Sequence, residues 1–400
     1  MSQSINSPSI YNKLSAFFGL GFYILTTVFL ARLTIDIGTR MVHPFIPLLS
    51  TGLGLTIVGF SWLLFIRAMA GLMGPFFGIL ADKYGRRKIM ATGLMFQCVG
   101  VIGVGLSNGW WAAVPMLFFG LALVAFIPAE QAYISDMVRY EKRGRALGAI
   151  EFSWATAGII ALPIMGWMID TFGWRFPFFV LGAVSFVAAG VTWFALPAAE
   201  KHSTSNVSLS SMWQVFTKHN VLASVTVSML VFFGLSCFIT VWSIWLSADF
   251  GLGAIALGFV ATAIGIAELT GSGLSSLFID RIGKRKGSLA ALLLTTIFFL
   301  LLPFTQGNFL LAITGLVITG VVVEFSVVSL ITLYAEQAPE ARATVFSLVT
   351  VGTAVGVSAG SPITAILWQY YGLMAVCVVA AASLAVAIGL VTRFLHDRSD

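Results

Sequence analysis

The chain has 400 residues, of which 58% are hydrophobic and only 10% are charged. An ordinary soluble domain carries about 25% charged residues, so this composition excludes a water-soluble fold and predicts a protein that faces lipid. The net charge of +6 could suggest a nucleic-acid partner, but the basic residues lie in short segments between apolar runs, which excludes that partner.

Twelve apolar runs are long enough to cross a bilayer, because a hydrocarbon core of about 30 Å needs about 20 helical residues. The runs cover residues 18–45, 56–80, 89–107, 111–135, 147–169, 175–196, 220–246, 255–279, 287–304, 308–334, 343–367 and 373–394. They predict an all-α polytopic membrane protein. The longest connection divides it into an N-terminal six-helix bundle at 1–197, a cytoplasmic central loop at 198–219 and a C-terminal six-helix bundle at 220–400.

Basic residues concentrate on one side of these spans. With both termini inside, 18 of the 22 lysines and arginines fall on the cytoplasmic side, and only Arg175 falls in an outer connection. Since positive residues near span ends stay in the cytoplasm, the pattern predicts that both termini are cytoplasmic. We expect an integral protein of the plasma membrane, the inner membrane of a bacterium, that functions as a monomer.

The two halves of the sequence repeat each other. Residues 52–60 read GLGLTIVGF and residues 251–259 read GLGAIALGF, while DKYGRRK at 82–88 is matched by DRIGKRK at 280–286. Each matched pair enters or leaves the second span of a six-span half. A duplicated unit with an even number of spans gives two halves with the same orientation in the membrane.

The segment GILADKYGRRK at 78–88 resembles the signature loop between the second and third helices of the major facilitator superfamily. The resemblance covers nearly the whole chain. It implies two pseudo-symmetric six-helix bundles around a central cavity, with alternating access by rocking one bundle against the other. It also implies a latch on the cytoplasmic side that contains Gly78, Asp82, Gly85, Arg86, Arg87, Asp280, Gly283 and Arg285. From the residues alone, the loop could also be only a turn with positive charge.

The fifth span carries a second family feature. Gly158, Pro163 and Gly166 form a degraded version of the glycine–proline pattern of the antiporters, in which Leu162 and Trp167 replace two expected small residues. We interpret the three pattern residues as gate or helix-contact positions. In motif content the chain is most similar to the drug/proton antiporter-like members with twelve helices.

Ionisable residues inside the spans are the candidates for the functional site, because a charge at the bilayer centre costs about 3 kcal/mol on insertion scales. Arg32, Asp36 and Arg40 are spaced by four and therefore share one face of the first span. Asp36 is either a proton carrier or a fixed ion pair with Arg32 or Arg40. Arg67 lies in the second span, and the three arginines could hold an anionic group of a substrate or act as structural counter-ions.

Four glutamates complete the set. Glu268 and Glu324 lie mid-span without a cation at helical spacing, which favours a coupling or substrate role, although either could pair across helices, for example with Arg67. Glu130 and Glu151 lie nearer the cytoplasmic ends of the fourth and fifth spans. We expect these two to be gate or helix-contact residues.

The sequence predicts a transporter and no enzyme. It has no phosphate-binding GxxxxGK[ST] loop, and its four histidines are scattered, so we expect no cofactor and no metal. Proton-coupled efflux of small amphipathic molecules is the leading hypothesis, with Asp36, Glu268 or Glu324 exchanging protons. The alternatives are import or exchange of an anionic metabolite bound by the three arginines, and a non-transporting membrane sensor on the same scaffold. The expected partners are a small-molecule substrate, protons and the lipid bilayer.

Overall fold

The computed structural model describes residue 15 and residues 17–197, 217–338 and 342–397. Within these ranges the secondary structure is helical, without a strand. Ten helices are long and apolar enough to cross a membrane, and an eleventh crossing forms if the pair Ile57–Met73 and Phe76–Tyr84, bent by 51°, is one span. Residues 198–216 of the predicted central loop lie outside the described residues, so the boundaries of the two bundles stay predictions.

Between residues 22 and 195, the N-terminal half contains nine α-helices. They are α1 Phe22–Met41, α2 Ile46–Gly52, α3 Ile57–Met69, α4 Gly74–Tyr84, α5 Arg86–Leu106, α6 Ala113–Met137, α7 Tyr140–Thr156, α8 Leu162–Phe172 and α9 Phe176–Ala195. The first, second and fifth predicted spans are each interrupted by an irregular turn, and Pro47, Pro75 and Pro163 stand in the first turn of the helix that follows. Proline fits there because the first turn needs no intrahelical N–H bond.

The C-terminal half contains α10 His219–Phe250, α11 Ala254–Ile282, α12 Lys284–Leu301, α13 Phe309–Tyr334 and α14 Arg342–Phe394. The 53 residues of α14 exceed twice the length that a single crossing requires. Its backbone breaks at Gly372, whose φ of 74° favours glycine. If the bent pair is counted as one span and α14 as two, the described residues hold the twelve crossings that the sequence predicts.

The two halves contact each other closely along α8 and α11. A β-carbon at Gly166 would lie 2.5 Å from the Ala254 carbonyl oxygen, and one at Gly258 would lie 2.9 Å from that of Leu162. Small residues permit such close approach of two backbones. Near the predicted outer end, the Ser243 hydroxyl donates to a backbone carbonyl of the other half at 2.7 Å.

The hydrogen bonds that join described residues of the two halves lie between the central part of the predicted spans and their predicted outer ends. They link α1 and α7 to Glu268, the segment after α7 to Thr262, and His43 to Ser243. The halves are therefore closed against each other on the predicted outer side.

The two copies of the signature loop have equivalent geometry. Gly85 and Gly283 have φ of 101° and 91°, respectively, and each ends one helix and begins the next. Arg87 Nη1 donates to the Leu196 carbonyl at 2.7 Å, and Arg285 Nη2 donates to the Thr392 carbonyl at 2.6 Å. The matching contacts agree with a duplicated unit.

The cationic residue after each of these glycines also binds an acid of its own half. Arg86 pairs with Asp136 at 2.5 Å, and Lys284 pairs with Glu336. Asp82 is 3.6 Å from Arg86 and its side chain is 42% exposed. In this conformation these loop contacts lie within single halves, so the predicted latch between the halves stays a proposal.

Candidate functional site

One arginine gathers three carboxylates from three helices. Arg32 on α1 donates from Nε to Asp36 Oδ1 at 3.0 Å, from Nη1 to Glu130 Oε2 on α6 at 2.9 Å, and from Nη2 to Glu151 Oε2 on α7 at 3.1 Å. The Ser153 hydroxyl donates to Asp36 Oδ2 at 2.5 Å. We call Arg32, Asp36, Glu130, Glu151 and Ser153 the Arg32 cluster.

Burial differs sharply within the Arg32 cluster. The side chains of Asp36 and Glu130 are 0% and 1% exposed, whereas that of Glu151 is 49% exposed. Glu130 Oε1 is buried without a hydrogen-bond partner among the described residues. If all three carboxylates were ionised, the single Arg32 cation would face three negative charges, two of them on the buried Asp36 and Glu130. Buried charges without partners neutralise instead, so the cluster has the composition of a proton-binding group.

Another ion pair, outside the Arg32 cluster, joins the N-terminal half to the C-terminal half. Arg40 on α1 donates from Nη1 to Glu268 Oε2 on α11 at 2.6 Å, and Trp154 Nε1 donates to the same oxygen at 3.2 Å. The Arg40 guanidinium also lies 4.6 Å from the centroid of the Trp154 ring, which adds a cation–π contact. The suggestion that Glu268 pairs with Arg67 is therefore wrong for this conformation, because Glu268 pairs with Arg40 instead.

Irregular backbone in the fifth span makes room for Arg40. Ala157–Ala161 form a π-helical turn between α7 and α8, a feature often found at functional sites. A β-carbon at Gly158 would lie 2.9 Å from Arg40 Nη2. The Thr262 hydroxyl of the other half donates to the Ile159 carbonyl at 3.3 Å. The predicted contact positions Gly158, Pro163 and Gly166 thus lie along the α8–α11 boundary and the turn before it.

Glu324 on α13 lies beside the same ion pair. Its β-carbon is 3.0 Å from where a β-carbon of Gly271 would stand, three residues after Glu268 on α11. Its charge interacts with those of Glu268 and Arg40. No hydrogen bond joins its carboxyl to another described residue, so this acid is available to a proton or a substrate.

Arg67 stands apart from the acids. Its Nη2 donates to the carbonyls of Gly38 and Thr39 at 3.4 and 3.2 Å, and its guanidinium lies 4.2 Å from the Phe119 ring centroid. Within the described ranges it forms no ion pair with a carboxylate, unlike Arg32 and Arg40.

An apolar groove of about 780 Å³ between α1 and α9 is lined by none of the predicted site residues. Sequence reasoning missed Ser153 and Trp154, which bind Asp36 and Glu268. Their position beside Glu151 in the fifth span was the available signal, since a polar or aromatic side chain near an intramembrane acid can hydrogen-bond to it.

Known proteins agree with this architecture. A family profile described as Major Facilitator Superfamily matches residues 28–242 and 224–400. The multi-drug resistance efflux pump PmrA homolog of Lactococcus lactis is 26% identical over 289 residues, which cover 68% of this chain and 70% of that protein. The uncharacterized MFS-type transporter YceJ of Bacillus subtilis is 24% identical over 364 residues, which cover 90% of each chain.

The fold is also similar to that of a solved structure. A bacterial homolog of the human lysosomal transporter Spinster, in an inward-facing and unoccupied conformation, superposes with a TM-score of 0.73 at 17% identity, covering 92% of this chain and 94% of the other. The superposition shows the fold, and the family match over most of the sequence shows that the chain belongs to the major facilitator superfamily.

Proposed function

We propose that this transporter exports small amphipathic organic molecules in exchange for protons, and that the Arg32 cluster binds the protons. The observation that carries the proposal is the sharing of one guanidinium by three carboxylates from α1, α6 and α7. A buried group with an excess of acids needs protons in one state and can lose them when water reaches it. That exchange is what a proton-coupled cycle requires.

The gradient of burial supports a proton path. Glu151 is half exposed toward the predicted cytoplasmic side, and Arg32 connects it to the buried Asp36 and Glu130. A proton that binds to one carboxylate weakens its hydrogen bond to Arg32. The Arg32 N–H that is released can then donate to one of the other two carboxylates. Protonation would therefore rearrange contacts among the three helices.

The Arg40–Glu268 pair supports a link between protons and movement. It joins the halves at mid-membrane, so a proton on Glu268 would weaken the attraction that holds α1 against α11. Glu324 lies next to Glu268 and would bias which of the two acids holds the proton. In this proposal the outer side opens when Glu268 is neutral.

Two observations support an amphipathic substrate. Trp154 lies at the boundary between the halves and is 37% exposed, and the Glu324 carboxyl nearby binds no other described residue. Arg40 holds Glu268 and the Trp154 ring in this conformation, so a flat organic cation with an apolar body would use Glu324 or displace Arg40. The Lactococcus lactis relative carries the name of a multi-drug resistance efflux pump homolog, which is consistent with this class.

The test uses purified protein in liposomes with an acidic interior and ethidium, an amphipathic cationic dye, outside. Molecules inserted with their cytoplasmic side outward should accumulate the dye as protons leave, and a protonophore should abolish accumulation. Glu130→Gln should lower the initial rate at least tenfold. Asp170→Asn, a change at an exposed acid of α8, should leave it unchanged. Accumulation that is equal in Glu130→Gln and in the wild type would refute proton binding at the cluster.

Import or exchange of an anionic metabolite is the second candidate function, and Arg67 is the observation that favours it. Arg32 and Arg40 already bind carboxylates of the protein, so the three arginines do not form one anionic-substrate site here. Counter-flow of a labelled dicarboxylate in the same liposomes, without a pH gradient, separates this function from proton-driven export.

A further inference from the structure

Arg67 lies against a small cavity that residues of both halves line. The cavity has a volume of about 140 Å³, and its lining includes Thr39, His43, Arg67 and Phe119 from the N-terminal half and Val357 and Ser361 from α14. Because a water molecule occupies about 30 Å³ of liquid, the space suits a small ion or a carboxylate group with a few waters. It is too small for a drug-sized molecule.

The charge around this cavity is positive. Arg67 forms no ion pair with a carboxylate in the part of the chain that the structure describes, and its hydrogen bonds to described residues come from Nη2 alone. Its remaining N–H groups have no acceptor among those residues. Arg40, the other nearby guanidinium, is already neutralised by Glu268. A guanidinium inside a membrane without a counter-ion is strongly unfavourable.

His43 provides a second polar group without a partner. Its Nδ1 is buried and makes no hydrogen bond in the described residues, and its ring is close enough to Arg67 to interact with that charge. A neutral histidine can donate one N–H to an anion. Two donors that face the same space, one of them a cation, are the minimum of an anion site.

We infer that the cavity beside Arg67 binds a small monovalent anion, either a free halide or the carboxylate of a transported molecule. The anion would contact Arg67 from α3, with His43 and α14 enclosing it, so the site would be complete only while the two halves are closed on the predicted outer side. This anion site is separate from the proton-binding role proposed for the Arg32 cluster. It is tested by binding to resting protein, so it can fail or succeed independently of the export proposal.

The experiment measures the apparent melting temperature of purified protein as chloride replaces HEPES at constant sodium concentration, since a ligand of the native state raises stability. A parallel series uses acetate and benzoate. Saturable stabilisation by chloride indicates a halide site, and saturable stabilisation by the carboxylates alone indicates that the site receives part of a transported molecule.

The key variant is Arg67→Gln, which should abolish the saturable rise. Arg175→Gln is the matched control, because Arg175 also donates to a backbone carbonyl, that of Gly105 at 3.0 Å, and lies 4.5 Å from the Trp174 ring. It should keep the rise. No saturable rise with any probe, or an equal rise in Arg67→Gln, overturns the inference.

Bromide-soaked crystals of the wild-type protein give an answer that does not depend on the folding of Arg67→Gln. If chloride stabilises the protein, an anomalous peak should stand within hydrogen-bonding distance of the Arg67 guanidinium. A peak elsewhere and none at Arg67 would overturn a halide site there. If only the carboxylates stabilise the protein, crystals soaked in 4-bromobenzoate should show the anomalous peak at the cavity. The absence of that peak would overturn a carboxylate site there.

Discussion

Arg40 on α1 and Glu268 on α11 form an ion pair at 2.6 Å across the boundary between the two halves. The Arg40 side chain is only 8% exposed and that of Glu268 is 22% exposed, so water screens the pair weakly. Trp154 and Gly158 fix its geometry, the first by a hydrogen bond to Glu268 and the second by leaving space for the guanidinium. The pair is thus part of what holds the outer side closed.

Glu268→Gln should open the outer side more often. The substitution keeps the shape of the side chain but removes the charge that attracts Arg40. We expect a cysteine introduced at Ser243, which is fully buried, to be alkylated from outside on the order of tenfold faster, a change of about 1.4 kcal/mol in the closed state. The background lacks the three native cysteines, and Glu141→Gln on the exposed first turn of α7 is the control. Equal alkylation rates in the two variants would contradict the prediction.

Arg32→Gln should destabilise the protein strongly. It removes the cation shared by three carboxylates, and breaking a buried pair in this way costs about 3–5 kcal/mol. Gel filtration after heating should therefore show a lower midpoint of aggregation. Adding Asp36→Asn and Glu130→Gln should recover most of the loss, because the buried acids are then neutral. A triple variant no more stable than Arg32→Gln would show that charge imbalance is not the cause.

Gly166→Ala should separate α8 from α11. Its new β-carbon would stand 2.5 Å from the Ala254 carbonyl oxygen, closer than atoms can approach. Overpacking of this kind costs about 1–3 kcal/mol. Here it would destabilise the conformation in which the outer side is closed, because α8 and α11 touch in that conformation. The Ser243→Cys alkylation assay should show increased access, whereas Gly190→Ala on α9, where a β-carbon meets no atom within 4 Å, should not.

Asp82→Asn tests the latch against a simple turn. In this conformation Asp82 makes a 3.6 Å contact with Arg86 and is half exposed, so its loss should change thermal stability by less than about 1 kcal/mol. If the loop latches the predicted cytoplasmic side in the opposite conformation, transport should nevertheless fall several-fold. Unchanged dye transport in Asp82→Asn would leave the loop with the role of a turn only.

The helical fold and its family were predictable from the sequence, because span length, charge asymmetry and the repeated DKYGRRK motif are local properties. The Arg32–Asp36 pair was also within reach, since residues four apart share a helix face. Glu130 and Glu151 are 98 and 119 residues from Arg32, and their meeting depends on how α6 and α7 pack against α1. No periodicity encodes that packing.

The partner of Glu268 shows the same limit. The sequence suggested Arg67 as the example of a partner, but Gly158 and the π-helical turn leave space for Arg40, while Arg67 donates to the Gly38 and Thr39 carbonyls. Helix irregularities of this kind follow from proline and glycine in a packed context. The sequence indicates where such irregularities can occur. It does not indicate which side chain will fill the space that they leave.

The Arg86–Asp136 and Lys284–Glu336 pairs, with the carbonyl contacts of Arg87 and Arg285, each tie a helix end to its own half. Such braces need not break when the halves tilt, so they stiffen each half without adding to the barrier for switching. The energy of switching then resides in the few bonds that cross the boundary, and a change there alters the working cycle more than any change of equal size in the braces.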